Sequence, residues 1–273
     1  MIKVAFQGVH GAYSEIATEL YFKGGASPIE CPEFADVFRA VTSSRTLFGI
    51  IPIENALTGS IHENYDLLLR SKVWIAGEVK LKIGHSLLAH PKAKLKDLRS
   101  VYSHPQGLLQ CAKFLKRFPK MKATPYFDTA GSAKFIADQN MKESAAIASE
   151  AAAKAYGLKV LKRGIADNKI NYTRFLILSK TKASSVGRSK TSIGFELKSV
   201  PGALHLSLGV FASRSIQLYK IESRPIPGRP WEYLFYLDFE GDFASSVVKA
   251  AIEELRLSTR KVKILGSYPI WRE

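Results

Sequence analysis

A hydroxyl and a cation open an apolar run in Asn171-Tyr172-Thr173-Arg174-Phe175-Leu176-Ile177-Leu178. The run has the length of a buried strand, and a polar strand mouth is a natural place for chemistry. Thr173 can donate a hydrogen bond or proton to a departing oxygen while its β-branched body holds a firm rotamer. That makes it a weak but well-aimed acid. Side chains alternate along a strand, so Thr173 and Phe175 share one face and Arg174 takes the other, and only one of Thr173 and Arg174 can face a ligand directly. Taken alone, a threonine at a strand start serves structure more often than catalysis.

A second constellation is Gly49-Ile50-Ile51-Pro52-Ile53-Glu54-Asn55, a buried run leading to Thr58-Gly59-Ser60. Small polar loops beyond strand ends are where α/β sheets hold ligands. A plain strand-to-helix turn with Ser60 as its N-cap fits the same residues. Ser103-His104-Pro105-Gln106 and Asp128-Thr129-Ala130-Gly131-Ser132 place hydroxyls and amides at expected helix starts, whose unpaired N–H groups attract carboxylates. Simple capping fits each of them as well. The histidines His10, His62, His85, His90, His104 and His205 form no i, i+4 pair and no cluster with cysteine, so no metal site is expected. No Gly-x-Gly-x-x-Gly or Walker sequence occurs, and no cofactor is expected.

The elements that must position these residues alternate strand and helix. Ile2 to Phe6 reads as a strand, Gly8 to Gly11 as a loop, and a helix stops near Gly24-Gly25. Phe34, Val37, Phe38 and Val41 fall at helical spacing before the buried parallel strand Leu47 to Ile51. Ile61, Tyr65, Leu68 and Leu69 mark a helix, and Trp74 to Leu81 and Ile83 to Ala89 read as extended. The alternation restarts at Val101 with a helix from Pro105, a short strand Ala145 to Ala148, a helix capped by Ser149 and ended by Gly157, and strands at Val160-Leu161 and Phe175 to Leu178. This predicts two sheet-containing lobes around a cleft. Lys180 to Lys190 is small and charged and marks a boundary. Beyond it, a strand from Thr191 to Leu197, a helix from Gly202 to Arg214, strands near Ile216 to Glu222 and Tyr233 to Phe239, a helix from Phe243 to Arg256 and a strand Val262 to Tyr268 give the ferredoxin-like order βαββαβ.

At 273 residues the chain can hold one large domain or two ordinary ones. It has no apolar run long enough for a membrane span, and Met1 leads straight into strand-like Ile2-Lys3-Val4-Ala5-Phe6, so the cytoplasm and no membrane partner are expected. Cys31 and Cys111 have no second pair and read as buried thiols. The net charge is +16. From Ser189 onward stand 12 Lys and Arg against 9 Asp and Glu, whereas Glu78 to Lys159 holds 15 against 6, so the excess is concentrated before the boundary. Scattered lysines of this kind read first as a solvated surface, though the field would draw in anions.

Taken together, Thr173-Arg174-Phe175, Pro52-Ile53-Glu54-Asn55 and Glu222-Ser223-Arg224-Pro225 make the chain resemble the prephenate dehydratase and arogenate dehydratase family over nearly its whole length. Gly8-Val9-His10-Gly11-Ala12-Tyr13-Ser14 resembles the opening loop of that family. The resemblance implies that Thr173 is catalytic, with Arg174 and Phe175 beside it in a Thr-Arg-Phe signature. It implies that Asn55 and Ser60 contact substrate, and that Ser103, Thr129 and Gly131 belong to dicarboxylate-binding loops. Ala56 stands where the family most often has serine, which removes one hydroxyl. Gly202-Ala203-Leu204 and Glu222-Ser223-Arg224-Pro225 resemble the phenylalanine site of an ACT regulatory domain at a subunit interface; a good turn and a buried ion pair fit the same residues. Gln217 and Tyr219 replace the asparagine and threonine often found there, so ligand choice could differ.

The implied organisation is α/β, with a bilobed, periplasmic-binding-protein-like catalytic domain over 1–180 whose second lobe covers about 78–159. A linker over 181–190 and a ferredoxin-like ACT domain over 191–273 follow. The implied reaction is decarboxylating dehydration of prephenate to phenylpyruvate in phenylalanine biosynthesis, or of arogenate directly to phenylalanine. Phenylalanine is the expected inhibitor, and a homodimer or homotetramer through ACT domains the expected assembly. From another class, a non-catalytic amino-acid or solute sensor shares the two-lobed plan. Nucleic-acid binding has only the charge behind it, with no motif and no aromatic-basic stripe, so no nucleic-acid partner is expected.

Overall fold

Apolar runs flanked by amphipathic stretches build the first part of the chain as β1 (Ile2–Gln7), α1 (Tyr13–Phe22), β2 (Ala26–Cys31), α2 (Phe34–Thr42), β3 (Phe48–Asn55), β4 (Gly59–Ser60), α3 (His62–Arg70) and β5 (Trp74–Lys82). This is a computed structural model that describes residues 1–183, 187–226 and 228–272. There follow β6 (Ser86–Ala89), β7 (Ser100–Ser103), α4 (Pro105–Gln110), α5 (Ala112–Lys116), β8 (Lys122–Pro125), α6 (Thr129–Asp138), β9 (Ser144–Ala148), α7 (Glu150–Ala155), β10 (Lys159–Lys162) and β11 (Tyr172–Ser179).

These strands form two sheets. In the first, ordered β2-β1-β3-β11-β5, β1 runs parallel to both β2 and β3. Burial of both faces explains why Val4, Ala5, Phe6, Ile50, Ile51 and Ile53 are all core residues. β4 folds back on β3 with Asn55 opposite Gly59. Because β11 lies next to β3, Asn55 at the end of β3 stands beside the strand that carries Thr173. The second sheet, ordered β10-β6-β9-β7-β8, packs around Leu87, Val101, Phe114 and Ile147. The two sheets are the lobes expected from the alternating pattern, and the helices between them are tied at their starts. The Glu33 and Asp36 side chains close a capping box on α2, and Ser149 Oγ accepts from Ala152 N–H on α7.

The last elements are β12 (Ser189–Leu197), α8 (Ala203–Ala212), β13 (Leu218–Ile226), β14 (Arg229–Glu240), α9 (Ser246–Ser258) and β15 (Thr259–Pro269). Their sheet, ordered β13-β14-β12-β15, is antiparallel throughout and has the ferredoxin-like βαββαβ connection. Ile193, Phe195, Phe211, Leu237, Phe239 and Ile252 fill its core. β13 continues past the expected end at Glu222, because Ser223 pairs with Phe235 and Arg224 with Leu234 on β14. Among the described residues no helix is long and apolar enough to cross a membrane.

By contacts the chain divides into one unit of Met1–Asn64 with Val79–Phe175 and a second of Tyr65–Glu78 with Leu176–Glu273. Of the expected linker over 181–190, residues 184–186 lie outside the described residues, and β12 already begins at Ser189. Within the second unit, Tyr236 Oη donates to Tyr65 O at 2.6 Å, and Lys263 Nζ donates to the carbonyls of Leu68, Leu69 and Ser71 at 2.9, 2.7 and 2.8 Å. A cation on the free carbonyls of a helix end is favourable. Lys190 Nζ reaches both oxygens of Glu78 at 2.9 Å, and these residues are 6% and 1% exposed.

A buried charge left without its partner costs about 3–5 kcal/mol. Lys190→Met is therefore expected to lower the unfolding free energy of the second unit by about that amount in a urea titration, and Lys190→Met with Glu78→Gln to lower it by less. Equal losses in the two variants would show that the ammonium and carboxylate do not compensate each other.

Candidate active site

The site begins with a turn whose direction is fixed by the backbone. After β3 the amides of Leu57 and Thr58 both donate to Asn55 Oδ1, at 2.9 and 3.1 Å. An N–H can only donate, so the oxygen of this carboxamide must face the turn and its nitrogen must face away. Asn55 Nδ2 then donates to Asn171 Oδ1 at 2.7 Å and to Thr173 Oγ1 at 2.9 Å. The same logic passes outward. Asn171, buried just before β11, presents Nδ2 to Gln110 Oε1 at 3.1 Å, and Gln110 Oε1 lies 2.8 Å from His85 Nε2. That oxygen has no hydrogen to give, so Nε2 carries the imidazole proton, and the bare Nδ1, 2.9 Å from Tyr13 Oη, shares the single phenolic hydrogen with Gly84 O. Tyr13 Oη lies 2.7 Å from Gly84 O.

Burial sets the protonation states. It pushes the pKa of His85 below its ordinary value, with the Gln110 hydrogen bond opposing, so the imidazole is held neutral. Burial pushes the Tyr13 phenol far above its ordinary range. His104 is likewise lowered by burial, with Asp128 opposing, and its Nδ1 accepts from Gln106 N–H at 3.2 Å at the start of α4. Asp128 caps α6, its Oδ1 accepting from Gly131 N–H, and burial raises its pKa against the lowering effect of that amide and of His104.

These groups line one cavity of about 250 Å³ within the first unit. Thr173 and Phe175 reach it from β11, Asn55 and Thr58 from the turn, and His85, His104, Gln110, Asp128 and Thr129 from the second lobe. Thr173 Oγ1 accepts from Asn55, so its own hydrogen remains for the cavity; among the described residues no other group bonds to that oxygen. The arrangement is a polar wall whose carboxamides, imidazole and phenol satisfy one another, leaving the Thr173 hydroxyl hydrogen and the Asp128 carboxyl for a bound molecule, and it is suited to orienting a polar substrate and assisting a leaving oxygen.

The residues singled out in the sequence divide between this cavity and other places. Asn55, Thr129, Thr173 and Phe175 line it. Arg174 takes the other side of β11, as the alternation requires, and is absent from the cavity wall. Ser60 lies on β4 opposite Glu54. Ser103 is fully buried and donates to Ile147 O at 2.7 Å, while His104 takes the capping position of α4. The Gly131 amide is engaged by Asp128, and both residues line a neighbouring cavity bounded by Glu30, Tyr126 and Lys134. In the second unit Gly202 turns into α8 at φ +79°, a conformation that favours glycine, and Gly202, Ala203 and Leu204 line a cavity with Trp231, Tyr233 and Phe235. Glu222, Ser223, Arg224 and Pro225 do not line it: Glu222 pairs with Lys220 at 3.3 Å and Arg224 with Asp66 at 3.2 Å. Sequence reasoning assigned no role to Tyr13, His85, Gln110 or Asp128.

The sequence profile described as prephenate dehydratase matches residues 4–183. The Arabidopsis thaliana protein named arogenate dehydratase/prephenate dehydratase 2, chloroplastic, is 44% identical over 280 residues, which cover 98% of this chain and 73% of the plant protein. Among solved structures, a prephenate dehydratase from Arthrobacter aurescens in complex with L-Phe superposes with a TM-score of 0.89 at 29% identity, over 98% of this chain and 89% of that one. GqqA, described as a novel type of quorum-quenching acylase, superposes with a TM-score of 0.90 at 31% identity over 98% of both chains.

The neutral state of His85 has a consequence for acid stability. An unfolded histidine titrates near its ordinary value of 6.5, and the folded value lies lower. The unfolded chain therefore binds a proton that the folded protein does not, and stability falls as pH drops from about 6.5 toward the depressed folded value. Urea titrations at pH 7 and pH 5 are expected to show a larger loss for the unmodified protein than for His85→Gln. Equal losses would mean that His85 is not held neutral.

Proposed function

The chain belongs to the prephenate dehydratase family, and from that premise we propose that the Thr173 cavity carries out the decarboxylating dehydration of prephenate or of its amino analogue arogenate. In this reaction the C–C bond to the ring carboxylate breaks, carbon dioxide leaves, and the released electron pair moves through the ring to expel the hydroxyl from the opposite carbon. With one proton taken up, the products are phenylpyruvate or phenylalanine, carbon dioxide and water. The ring becomes aromatic, which supplies most of the driving force. The protein is left with orientation, exclusion of water and assistance to the departing oxygen.

The observation that carries the reading is the hydrogen bond from Asn55 Nδ2 to Thr173 Oγ1 at 2.9 Å. It turns the threonine proton toward the cavity, where it can be drawn to the leaving oxygen as the C–O bond lengthens. The same amide hydrogen steadies the negative charge that then builds on Oγ1. The Thr129 hydroxyl at the start of α6 is a support for a substrate carboxylate. The geometry favours this over an acyl transfer like that described for GqqA. A nucleophilic hydroxyl needs an adjacent base, and among the described residues the Thr173 hydroxyl is bonded to a carboxamide N–H, which is a donor.

For the second unit the reading is an ACT regulatory domain that binds phenylalanine in a homo-oligomer. Its support is the ferredoxin-like order, the Gly202–Leu204 cavity and the L-Phe complex of the Arthrobacter relative. Binding of phenylalanine would change activity through different affinity for two states of the protein. The Glu222–Pro225 segment lies on β13, outside the Gly202 cavity of its own chain, which fits a site completed by a partner copy.

Thr173→Val is expected to lower kcat by about 10²–10⁴ with KM changed only a few-fold, measured by chromatography of the products formed from prephenate and arogenate. Normal turnover by the folded variant would remove Thr173 from the mechanism. Saturating phenylalanine is expected to inhibit the unmodified enzyme; calorimetric binding without any change in rate would remove the regulatory reading.

A further inference from the structure

Prephenate and arogenate differ in one group: arogenate has an ammonium where prephenate has a ketone. Prephenate therefore enters as a dianion, and arogenate as a dicarboxylate carrying one positive charge. A site built to prefer the dianion would be expected to place a lysine or arginine against it. Among the described residues that line the Thr173 cavity there is none, and the one Asp, Glu, Lys or Arg on its wall is Asp128.

The position of Asp128 fits the shape of the reaction. The amino-acid side chain of arogenate sits on the ring carbon opposite the one that loses hydroxide. Groups that hold the two ends must come from different walls, and Thr173 projects from β11 of the first sheet while Asp128 follows β8 of the second and caps α6. Asp128 is half-buried and fixed, since the Gly131 amide donates to its Oδ1. That amide is one the helix start would otherwise offer to a substrate carboxylate. The loop thus presents an acceptor with negative charge at the place where the sequence suggested a donor. The other charged or titratable groups coupled to Asp128 are His104, on the same cavity wall, Glu30, beyond it, and the Tyr156 phenol. Burial raises the Asp128 pKa, and an ammonium beside it would bring it down again.

Resting on the dehydratase reading above, we propose that Asp128 is the specificity-determining residue of this site, receiving the substrate ammonium and making arogenate the preferred substrate over prephenate. Its carboxylate attracts the ammonium of arogenate and repels the second negative charge of prephenate.

The test is kcat/KM for arogenate and prephenate, measured in parallel on the unmodified protein and on Asp128→Asn and Asp128→Ser. Both replacements keep an N-cap acceptor for α6, so the fold is retained, and circular dichroism checks it. The unmodified protein is expected to favour arogenate. In both variants the arogenate-to-prephenate ratio is expected to fall at least tenfold, about 1.4 kcal/mol, with a rise in KM for arogenate and a gain in kcat/KM for prephenate. A preference of the unmodified protein for prephenate, or a smaller shift in the ratio in folded variants, overturns the assignment to Asp128. Absence of turnover with both substrates in the unmodified protein overturns the dehydratase reading itself and the assignment with it.

Discussion

The organisation of the site depends on two backbone N–H groups, those of Leu57 and Thr58, that point into the turn after β3. They fix which end of the Asn55 carboxamide is the acceptor, and every later hydrogen bond inherits its direction from that choice. Asn171 must then accept from Asn55 and donate to Gln110, Gln110 must accept from both Asn171 and His85, and Thr173 must accept from Asn55. A network satisfied in only one direction presents its polar groups in one arrangement without reorganising during a reaction. The turn itself is held by the pairing of Asn55 with Gly59 and by Ala56 N–H donating to Tyr172 O at 2.8 Å. The hydroxyl lost at Ala56, where the family most often has serine, is therefore not needed to orient Asn55.

How much of this was legible in the sequence depended on whether the information was local. The two-residue period of a strand placed Thr173 and Phe175 together and Arg174 opposite, and the cavity wall follows that division. Much of the strand and helix order of both lobes, and the βαββαβ order of the last part, came from periodicity and turn residues in the same way, although β2 and β8 were not expected. His85, Gln110 and Tyr13 could not be read so, because their partners lie 25, 61 and 72 positions away in sequence. Nothing in the spacing of a single histidine between Gly84 and Ser86 announces a glutamine on another element. Ser103 shows the reverse limit of local reading. Its place before a helix suggested a ligand contact, yet the imidazole of His104 takes the cap and the serine hydroxyl turns inward to a strand carbonyl.

In the second unit a similar division separates pattern from partnership. An acid at position 78 in the otherwise apolar stretch Trp74 to Val79 gives no sign of its partner, since Lys190 lies 112 positions later. Nor does the helical stripe of α3 reveal that its last carbonyls are met by Lys263 from β15. These contacts explain why Tyr65–Glu78 group with residues more than a hundred positions later, although the composition shift that marks a boundary lies at 181–190. Arg224 was read both as a ligand contact and as half of an ion pair. In a single chain it is the second, with Asp66, and its Nε is buried without a hydrogen-bond partner among the described residues.

The net charge of +16 and the composition of the cavity wall act over different ranges. A field from scattered surface lysines is screened over about 8–10 Å at ordinary salt, and it favours whichever molecule carries more negative charge. By itself it would draw in a dianion a little better than a zwitterion. Inside the cavity the balance changes, because two opposite charges about 4 Å apart attract by about 4 kcal/mol at an effective dielectric of 20 and by about 1 kcal/mol in bulk water. One carboxylate at contact distance therefore outweighs the difference that the distant field makes between the two substrates. The basic surface would thus act on how often an anion arrives, and the proposed role of Asp128 on which one reacts.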